Sequence, residues 1–341
     1  MVSKDHNRQL TDWIRARALA LGFSACGFSR AEKLEKDDER LRAWLLNGFH
    51  GEMGYMARNV EKRSDPRLLF DGAKSVISVL MNYFPEHHLP QENNYKISRY
   101  AYGRDYHDEI RERLGILIED LRLKVEDLRL QVEDLRVQVE DLRLQVEEFG
   151  LKMGENSARA FTDSAPVMDK AWAERSGLGW IGKNTCLIHP KLGSYVFVGE
   201  ILTDLELVYD TDRVNDLCGG CSRCMDACPT GAIIGPRQLD ARKCISYLTI
   251  EYKGELPYPE REKFNEWIFG CDICQEVCPW NKFAKPHQVE SFRPKEELIA
   301  MNKEKWEALS PDQFQSIFKG SAVKRARFEG LRRNIKFLSD K

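Results

Sequence analysis

The sequence lacks long apolar runs and a strong net charge of either sign. No apolar stretch approaches the ~18 residues that a membrane-spanning helix needs, so the sequence predicts no transmembrane segment. The formal net charge is −2, which means that any surface for nucleic acid must be a local one. The segment Met1 to Leu10 is polar and charged, which predicts that there is no signal peptide and that the protein is cytoplasmic.

The composition predicts a folded chain of more than one domain. Its 341 residues are enough for two domains. Apolar residues make up 42% of the chain and aromatic residues 10%, which is enough for a sizeable core. Ten cysteines without an export signal fit a reducing compartment.

Eight of the ten cysteines lie in two motifs and the segment between them. The run from Cys218 to Pro229 reads C-x2-C-x2-C-x3-C-P, the run from Cys271 to Pro279 lacks one of these cysteines, and Cys244 lies between the two. This pattern binds [4Fe–4S] clusters in bacterial ferredoxins, where the fourth cysteine ligates the other cluster. Because the fourth cysteine ligates the other cluster, the pattern predicts two sets of ligands. The first is Cys218, Cys221, Cys224 and Cys278, and the second is Cys271, Cys274, Cys228 and Cys244.

Zinc and disulfides are the alternatives for these cysteines. Zinc sites use C-x2-C pairs, but they rarely combine three cysteines at two-residue gaps with a fourth cysteine and a proline. Disulfides need an oxidising compartment. We therefore expect two iron–sulfur clusters, and we expect the two other cysteines, Cys26 and Cys186, to be packed thiols.

The apolar pattern predicts several elements. Residues 7–21 and Leu41 to Asn47 are expected to be helices, and Val76 to Phe84 a buried strand ended by Pro85. The segment Ser98 to His107 is polar and aromatic at once, which is typical of a pocket lining. Leu239 to Glu251 is expected to be a helix that carries Cys244.

A seven-residue repeat begins at Ile118. Valine or isoleucine recurs at one heptad position and leucine three residues later, which favours a dimeric coiled coil. Leu123 and Leu130 fall on the opposite face, and Leu-Arg-Leu-Gln-Val also alternates like a strand. Because no Gly, Pro or Asn interrupts the repeats, we predict one helix from His107 to Phe149. An inert protruding arm and a self-association element both remain open.

The segment after Gly150 has the residues of a binding site. Asp163 begins a proline-containing turn before a predicted helix, Met168 to Ser176, and is either functional or a helix cap. Asp169, in that helix, is expected to tolerate replacement. Gly177 to Gly182 matches G-x-G-x-x-G, but it follows a helix and precedes strands, so a dinucleotide loop is excluded.

The tail from Lys319 to Lys336 carries seven basic residues and one acidic residue, Glu329. Such a local patch suits contacts with nucleic-acid phosphates. A solvated basic helix is the alternative.

Taken together, several stretches resemble the epoxyqueuosine reductase family, iron–sulfur and cobalamin enzymes that finish queuosine in tRNA. They cover the chain apart from the heptads, and their combination is specific. The stretches are Gly51 to Met56, Glu61 to Arg63, Ser98 to His107, Asp163 to Pro166, Ala173 to Arg175, Gly177 to Asn184, Gly193 to Tyr195, both cysteine motifs, Cys244 to Leu248 and Gly320 to Arg325.

The resemblance implies an α/β architecture in three parts. Residues 1–209 would form a nitroreductase-like cobalamin-binding domain, with a heptad-repeat helix inserted at about 118–146. Residues 210–290 would form a ferredoxin-like domain with two [4Fe–4S] clusters, and residues 291–341 a helical basic tail. In the family the cobalt has no histidine as lower ligand, and Asp105-Tyr-His107 indeed lacks the glycine of a D-x-H-x-x-G motif.

The resemblance also implies the function and the site residues. The reaction would be reduction of epoxyqueuosine to queuosine at the tRNA wobble position, the final step of queuosine biosynthesis. It would use cob(II)alamin, two [4Fe–4S] clusters and an external low-potential electron donor. Asp163 would be the acid above the cobalt. The expected cobalamin contacts besides Asp163 are Arg63, Ser98, Lys183, Asn184, Ser194 and Tyr195.

The expected chemistry needs an acid next to the substrate. Releasing the epoxide oxygen as water takes electrons and protons, and a positioned carboxylic acid can protonate the leaving oxygen. Ala165, Pro166 and Val167 would supply the apolar setting that keeps Asp163 protonated. The alternative functions are a two-cluster electron carrier, which would not need the long segment before Cys218, and a corrinoid reductase for small molecules.

Overall fold

The computed structural model describes residues 2–138, 157–163, 165–212 and 214–340. The strands in these ranges are β1 Ala25–Arg30, β2 Ser75–Asn82, β3 Lys96–Ile97, β4 Ala158–Phe161, β5 Trp180–Ile181, β6 Leu187–Ile188, β7 Val196–Thr203, β8 Ile233–Gly235, β9 Gln238–Leu239 and β10 Trp267–Phe269. The α-helices are α1 Val2–Ala20, α2 Glu35–Leu46, α3 Val60–Ser64, α4 Tyr106–Gln138, α5 Asp169–Arg175, α6 Arg223–Asp226, α7 Ile245–Ile250, α8 Ile273–Glu276, α9 Glu296–Ile299, α10 Lys303–Glu307, α11 Pro311–Ile317 and α12 Arg327–Ser339.

The first part of the chain is built on an antiparallel sheet with helices on both faces. The sheet has the strand order β1-β2-β7-β4. Residues of α1 and α4, such as Ile14 and Leu114, pack with Ile77 of β2 on one face. Trp172 of α5 packs with Val76 on the other face. Because helices cover both faces, β2 is buried along nearly its whole length, as the apolar run predicted.

The first heptads belong to the core. Ile118, Leu121, Val125 and Leu128 are buried in the same apolar cluster as Leu10 of α1. The interpretation of the repeat from Ile118 as an inert protruding arm is therefore wrong for this part of α4. The heptad positions from residue 139 to residue 149 lie outside the described residues, so the predicted end of the helix at Phe149 is not tested.

The opposite face of α4 is exposed. Leu123 and Leu130 are 72% and 52% exposed, and they occupy the heptad position that conflicted with a simple coiled-coil stripe. Leu123 and Leu130 lie seven residues apart, as Ile116 and Leu123 do. They are exposed on the same side because a seven-residue step returns to nearly the same side of a helix. The two faces of α4 therefore have different environments.

The cysteine-rich part is joined to the first part by a short parallel pairing. Strand β10 pairs with β3, and the buried Arg99 next to β3 forms an ion pair of 3.1 Å with Asp272, between Nη1 and Oδ2. The predicted helix from Leu239 to Glu251 is shorter than expected. Cys244 is the N-cap residue of α7, with extended backbone angles and no side-chain cap hydrogen bond.

The C-terminal helices pack on the cysteine-rich part. Leu331 and Ile335 of α12 lie in one apolar cluster with Ile268 and Phe269 of β10. The α/β first part and the helical C-terminal part agree with the predicted fold class, whereas the exact boundaries at residues 209 and 290 stay predictions. Within the described part of the chain, no helix is long and apolar enough to cross a membrane.

Candidate active site

Asp163 lies on the loop between β4 and α5. Its backbone has a φ of 47°, a left-handed conformation that residues other than glycine adopt only when their surroundings fix it. The N-cap residue of α5 is Met168, which makes no side-chain cap hydrogen bond, so the interpretation of Asp163 as a helix cap is wrong. Its side chain is 62% exposed and is not enclosed by the apolar residues that follow it.

Two residues at the start of α4 contact the Asp163 carboxylate. The Tyr106 hydroxyl donates a hydrogen bond of 2.5 Å to Oδ2 of Asp163. His107 Nε2 lies 3.8 Å from the same oxygen, and His107 Nδ1 lies 2.6 Å from Oδ1 of Asp105. Tyr106 and His107, at the end of the segment Ser98 to His107, thus lie beside Asp163, whereas the role of this segment as a pocket lining stays a prediction.

The neighbours of His107 favour its charged form. Burial disfavours the imidazolium, but the hydrogen bond to Asp105 and the negative charges of Asp105 and Asp163 oppose this effect, so the pKa of His107 lies above its ordinary value. A protonated His107 places a positive charge beside the Asp163 carboxylate.

Two arginines from distant segments lie within electrostatic range of Asp163. The negative charge of Asp163 acts on Arg63 of α3 and on Arg325 of the tail. Arg63 donates through Nη2 to the Tyr55 carbonyl at 2.9 Å, and its buried Nε has no hydrogen-bond partner in the described part of the chain. The guanidinium of Arg325 lies 5.8 Å from the ring centroid of Tyr55. Asp163 thus has aromatic and cationic side chains in its neighbourhood.

Asp169 and Glu200 form a carboxyl pair next to Asp163. Glu200 is fully buried in β7, and burial and the neighbouring Asp169 hold its pKa well above the ordinary value. Burial also raises the pKa of Asp169. Asp169 is therefore not the unremarkable helix residue that we expected from the sequence. One sequence signal was available, because Glu200 is the sole charged residue in the apolar run from Val196 to Thr203.

Two of the expected cobalamin contacts bind the cysteine motifs. Lys183 Nζ donates to the carbonyl of Gly219 at 2.7 Å and to that of Cys221 at 2.8 Å. Asn184 Nδ2 donates to the Cys274 carbonyl at 3.5 Å. In the described structure these side chains fasten the glycine-containing loop to the cysteine-rich part.

The other expected contacts are also hydrogen-bonded to the cysteine-rich part or to a residue that binds it. Ser194 Oγ donates to Oε1 of Gln275 at 2.9 Å. Tyr195 Oη accepts a bond of 3.3 Å from Arg99. Ser98 is buried, and its backbone N–H donates to the Phe269 carbonyl at 2.8 Å. Of the expected set, Arg63 lies within electrostatic range of Asp163, whereas the other five lie along the junction with the cysteine motifs. These five are Ser98, Lys183, Asn184, Ser194 and Tyr195.

The conformation of Gly179 explains why the segment from Gly177 to Gly182 needs a glycine. Its φ is 154°, and a Cβ atom there would lie 2.2 Å from the Ile188 carbonyl oxygen. The loop follows α5 and leads into β5 and β6. The glycine is therefore required by close packing against β6, and the exclusion of a dinucleotide loop agrees with this position.

Electrostatic contacts divide the cysteines along the predicted ligand sets. Cys224 interacts with Cys218 and Cys278. Cys271 interacts with Cys244 and Cys228, and Cys274 interacts with Cys244 and Cys271. The last cysteine of each motif thus lies with the other motif, although the use of these thiols as ligands stays a prediction.

Several N–H groups point at the sulfur atoms. Trp180 Nε1 donates to Cys218 Sγ at 3.4 Å, and the Ala232 N–H donates to Cys228 Sγ at 3.3 Å. Hydrogen bonds to cluster sulfurs are one of the factors that set a cluster's reduction potential. In residues 2–138, 157–163, 165–212 and 214–340, no group of three or more His, Cys, Asp or Glu is arranged to hold a single metal ion. A cube distributes its four thiolates over its irons.

Burial raises the pKa of several of these thiols, among them Cys271 and Cys278. Iron binding would displace the protons, because thiolates are the ligands. The two cysteines outside the motifs differ from each other. Cys26 is a buried thiol whose pKa burial raises to about 12, as expected. Cys186 is half-buried and lies close enough to Cys274 for each thiol to act on the pKa of the other, so it adjoins a predicted ligand.

Comparison with known proteins identifies the family. Residues 63–139 match a family model described as epoxyqueuosine reductase QueG, DUF1730, and residues 217–281 match a 4Fe-4S double cluster binding domain. An epoxyqueuosine reductase of Cellulophaga algicola is 47% identical over 328 residues, which cover 96% of this chain and 97% of that protein. The chain belongs to the epoxyqueuosine reductase family. The family resemblance predicted from the sequence is thus confirmed.

More distant epoxyqueuosine reductases match over nearly the whole chain as well. The enzyme of Escherichia coli is 37% identical, with 96% of this chain and 80% of that protein covered. A crystal structure of epoxyqueuosine reductase with an epoxyqueuosine-modified tRNA-Tyr stem loop has a TM-score of 0.79 and 30% identity, covering 97% of this chain and 80% of the other. A structure from Bacillus subtilis, with a TM-score of 0.77, is described with its catalytic loop, which bears an aspartate, swung out of the active site.

Proposed function

We propose that this chain reduces epoxyqueuosine in tRNA to queuosine, with Asp163 as the proton donor. The observation that carries the proposal is the position of Asp163, which is hydrogen-bonded to Tyr106 and lies within electrostatic range of Arg63 and Arg325, in a chain of the epoxyqueuosine reductase family. Conversion of an epoxide to an alkene and water consumes two electrons and two protons. The site must therefore deliver protons to an oxygen atom in a controlled position.

Asp163 is placed for this proton transfer. The Tyr106 hydroxyl fixes the orientation of the carboxyl group, and His107, held by Asp105, is a nearby group that can return a proton to it. A positioned acid contributes roughly 10²- to 10⁴-fold to a rate. Because Asp163 is largely exposed in the described structure, the bound substrate and cofactor would have to supply the water exclusion that its own apolar neighbours do not.

The residues around Asp163 fit a large polar cofactor. Arg63 Nε is a buried donor without a partner in the described part of the chain, and we propose Arg63 as a contact for cobalamin. When bound, the corrinoid supplies the difficult bond-breaking chemistry, which the protein orients. The hydrogen bonds of Lys183 and Ser194 to the cysteine-rich part hold that part next to the site.

The eight cysteines fit two [4Fe–4S] clusters in number, spacing and mutual position. Clusters of this type pass single electrons at low potential, so we propose that they receive electrons from an external low-potential donor. The cysteine-rich part is joined to the first part through β3 and β10. This connection supports electron transfer from the clusters toward Asp163.

The tail supplies the proposed surface for tRNA. Arg325 is part of the tail, forms an ion pair of 2.9 Å with Glu251 between Nε and Oε1 and lies within electrostatic range of Asp163, so the basic segment lies near the site. Lys324, Arg327 and Arg332 are exposed in the same segment. A tRNA with its modified base at Asp163 would bring its phosphates near these side chains, which is the type of contact that positions nucleic acid on a protein.

The exposed face of α4 supports a second, separate proposal, which is self-association of the chain. Leu123 and Leu130 are exposed on this face, and the same heptad position continues beyond the described part of α4. Apolar residues that recur every seven positions are typical of a helix that packs on another helix.

The function is tested by anaerobic incubation with cobalamin, a reductant and tRNA that carries epoxyqueuosine, followed by nucleoside mass analysis. We expect conversion to queuosine, which depends on all three components. Absence of queuosine from protein that has both clusters and bound cobalamin would refute the proposal.

A further inference from the structure

The Asp169–Glu200 pair has no assigned role, yet it lies beside the residue that we propose as the acid. Glu200 is 0% exposed, and neither of its carboxyl oxygens receives a hydrogen bond from the described residues. An anion buried without a partner is costly. Glu200 is therefore stable in this position as the protonated acid, which can donate its O–H to the Asp169 carboxylate.

The sheet fixes the position of Glu200. In β7 it lies opposite Phe161 of β4 and Ser78 of β2. Phe161 packs in the cluster that contains Trp172 of α5, and the Ser78 hydroxyl contacts that of Ser176, directly after α5. Residues that are opposite each other in neighbouring strands share one face of a sheet. Glu200 is thus on the face that α5 covers, where Asp169 begins this helix.

Asp169 connects this pair to the loop of Asp163. Its carboxylate lies close enough to Glu200 and to the backbone N–H of Asp163 for both groups to act on its pKa, and its Oδ1 is buried without a hydrogen-bond partner in the described part of the chain. It is therefore an acceptor within reach of the backbone N–H of Asp163. This contact matters because Asp163 has a left-handed backbone, which persists only where neighbouring groups hold it.

We propose that the Asp169 carboxylate, held by the protonated Glu200, is a positioning group that fixes the backbone of Asp163, while Tyr106 fixes its side chain. The inference rests on the proposed function, since it assigns Asp163 as the group to be positioned. Asp169 touches neither substrate nor reacting atoms in this arrangement and acts through Asp163. The pair thus determines how much of the time the acid is in place.

Other groups around the pair are consistent with this arrangement. Arg63 is the cation that faces both Asp169 and Asp163. Lys170, the next residue in α5, donates from Nζ to the Thr185 carbonyl at 2.9 Å and is exposed. The charge on Asp169 is therefore shared between Arg63, the Asp163 N–H and the O–H of Glu200.

The test compares Asp169→Ala with Asp312→Ala. Asp312 is the matched control because it lies in the first turn of α11, as Asp169 does in α5, but is exposed. The first measurement is hydrogen exchange at the amide of Asp163, in protein without cobalamin. We expect exchange about 10- to 100-fold faster in Asp169→Ala, the range of a hydrogen bond to a charged group, and no change in Asp312→Ala.

The second measurement is turnover of epoxyqueuosine-containing tRNA by the reconstituted enzyme. We expect kcat of Asp169→Ala to fall about 10-fold or more while KM for tRNA stays within about twofold, because a misplaced acid affects the chemical step and not the tRNA surface. A merely structural role for Asp169 would lower the melting temperature and leave kcat of the folded fraction unchanged.

Glu200 provides a rescue test that does not depend on removing Asp169. Glu200→Gln keeps a donor for the Asp169 carboxylate and should retain wild-type exchange and turnover. Glu200→Leu, of similar volume, should behave like Asp169→Ala. A Gln variant as impaired as the Leu variant would show that Glu200 is needed as an anion and would overturn the proposed arrangement.

The outcomes separate the inference from the proposed function. Unchanged exchange at Asp163 in Asp169→Ala overturns the positioning role whatever the turnover. Faster exchange with unchanged kcat also overturns it, if Asp163→Asn is inactive. If Asp163→Asn is itself fully active, the proposed function of Asp163 has failed, and the exchange result alone decides whether Asp169 fixes the loop.

Discussion

The hydroxyl of Tyr106 donates a hydrogen bond of 2.5 Å to the carboxylate of Asp163, which joins the start of α4 to the loop after β4. The Tyr106 ring is itself held by stacking on Phe197 of β7, with ring centroids 4.1 Å apart and planes within 6° of each other. A side chain fixed by the central sheet thus holds an exposed carboxyl group in one orientation.

Removal of this hydroxyl should lower turnover without unfolding the site. Tyr106→Phe keeps the stacking on Phe197 and loses only the hydrogen bond. We expect kcat to fall about 10-fold, since a hydrogen bond to a charged group is worth roughly 1.5–3 kcal/mol, with cluster content unchanged. Steady-state kinetics on epoxyqueuosine-containing tRNA measure this. Tyr106→Phe with wild-type kcat would show that the hydroxyl does not position the acid.

Asp163→Asn should give a folded protein with both clusters and bound cobalamin that has lost ~10²–10⁴ of its turnover rate, the usual contribution of a positioned acid. Asn is isosteric with Asp, and Asp163 is not the cap of α5, so no loss of stability is expected. Single-turnover kinetics separate the chemical step from binding. The internal control is Asp312→Asn and not a variant of Asp169, because Asp169 contacts the Asp163 loop. Near wild-type turnover would mean that another group is the acid.

Cys244→Ala should impair one cluster and leave the other. Cys244 interacts with Cys228 and lies with the second ligand set. We expect the iron content of anaerobically reconstituted protein to fall from about eight atoms per chain toward about four, since each cube holds four irons. Iron analysis with electron paramagnetic resonance of the reduced protein measures this. Stoichiometric zinc, or the loss of both clusters together, would contradict the assignment.

Neutralisation of the exposed cations of the tail should weaken tRNA binding and flatten its salt dependence. The variant replaces Lys324, Arg327 and Arg332 by Gln, and each lost phosphate contact should lower the slope of log K against log salt by ~0.7–0.9. Binding titrations at several salt concentrations give the slope. An unchanged slope would place the tRNA surface elsewhere on the protein.

Arg333 is the control for these substitutions, because its guanidinium is bonded within the protein. Its guanidinium donates to the carbonyl groups of Tyr252, Gly254 and Leu248, so it holds α12 against the cysteine-rich part. We expect Arg333→Gln to lower the melting temperature and to leave the salt slope unchanged.

The two faces of α4 should respond differently to truncation. Leu121 is fully buried, whereas Leu123 is 72% exposed. Leu121→Ala should cost about 2–5 kcal/mol of stability, as buried leucines do, and Leu123→Ala should change stability by less than about 0.5 kcal/mol. Denaturant unfolding measures both. Sedimentation of Leu123→Ala also tests whether the exposed face mediates self-association, which a monomeric wild-type chain would exclude.

Local patterns in the sequence determined the cysteine motifs, the buried strand at residues 75–82 and the helix after residue 106. Each of these depends on spacing between nearby residues, since cluster ligands, apolar runs and helical periods are all short-range features. The same spacing gave the division of the cysteines into two sets, because the swap of the fourth cysteine is a property of the motif. The family resemblance rested on such short segments as well.

The tertiary structure alone decided which distant residues meet. Tyr106 of α4 contacts Asp163, Arg63 of α3 and Arg325 of the tail lie within electrostatic range of it, and no periodicity relates these positions. The heptads also show the limit of prediction from the sequence, since the repeat cannot indicate that its first turns are covered by α1 and the sheet. Asp169 looked like an ordinary helix residue because its environment is supplied by Glu200, 31 positions further along the chain. Burial and charge depend on the assembled fold, and those two quantities determine what a carboxyl group can do.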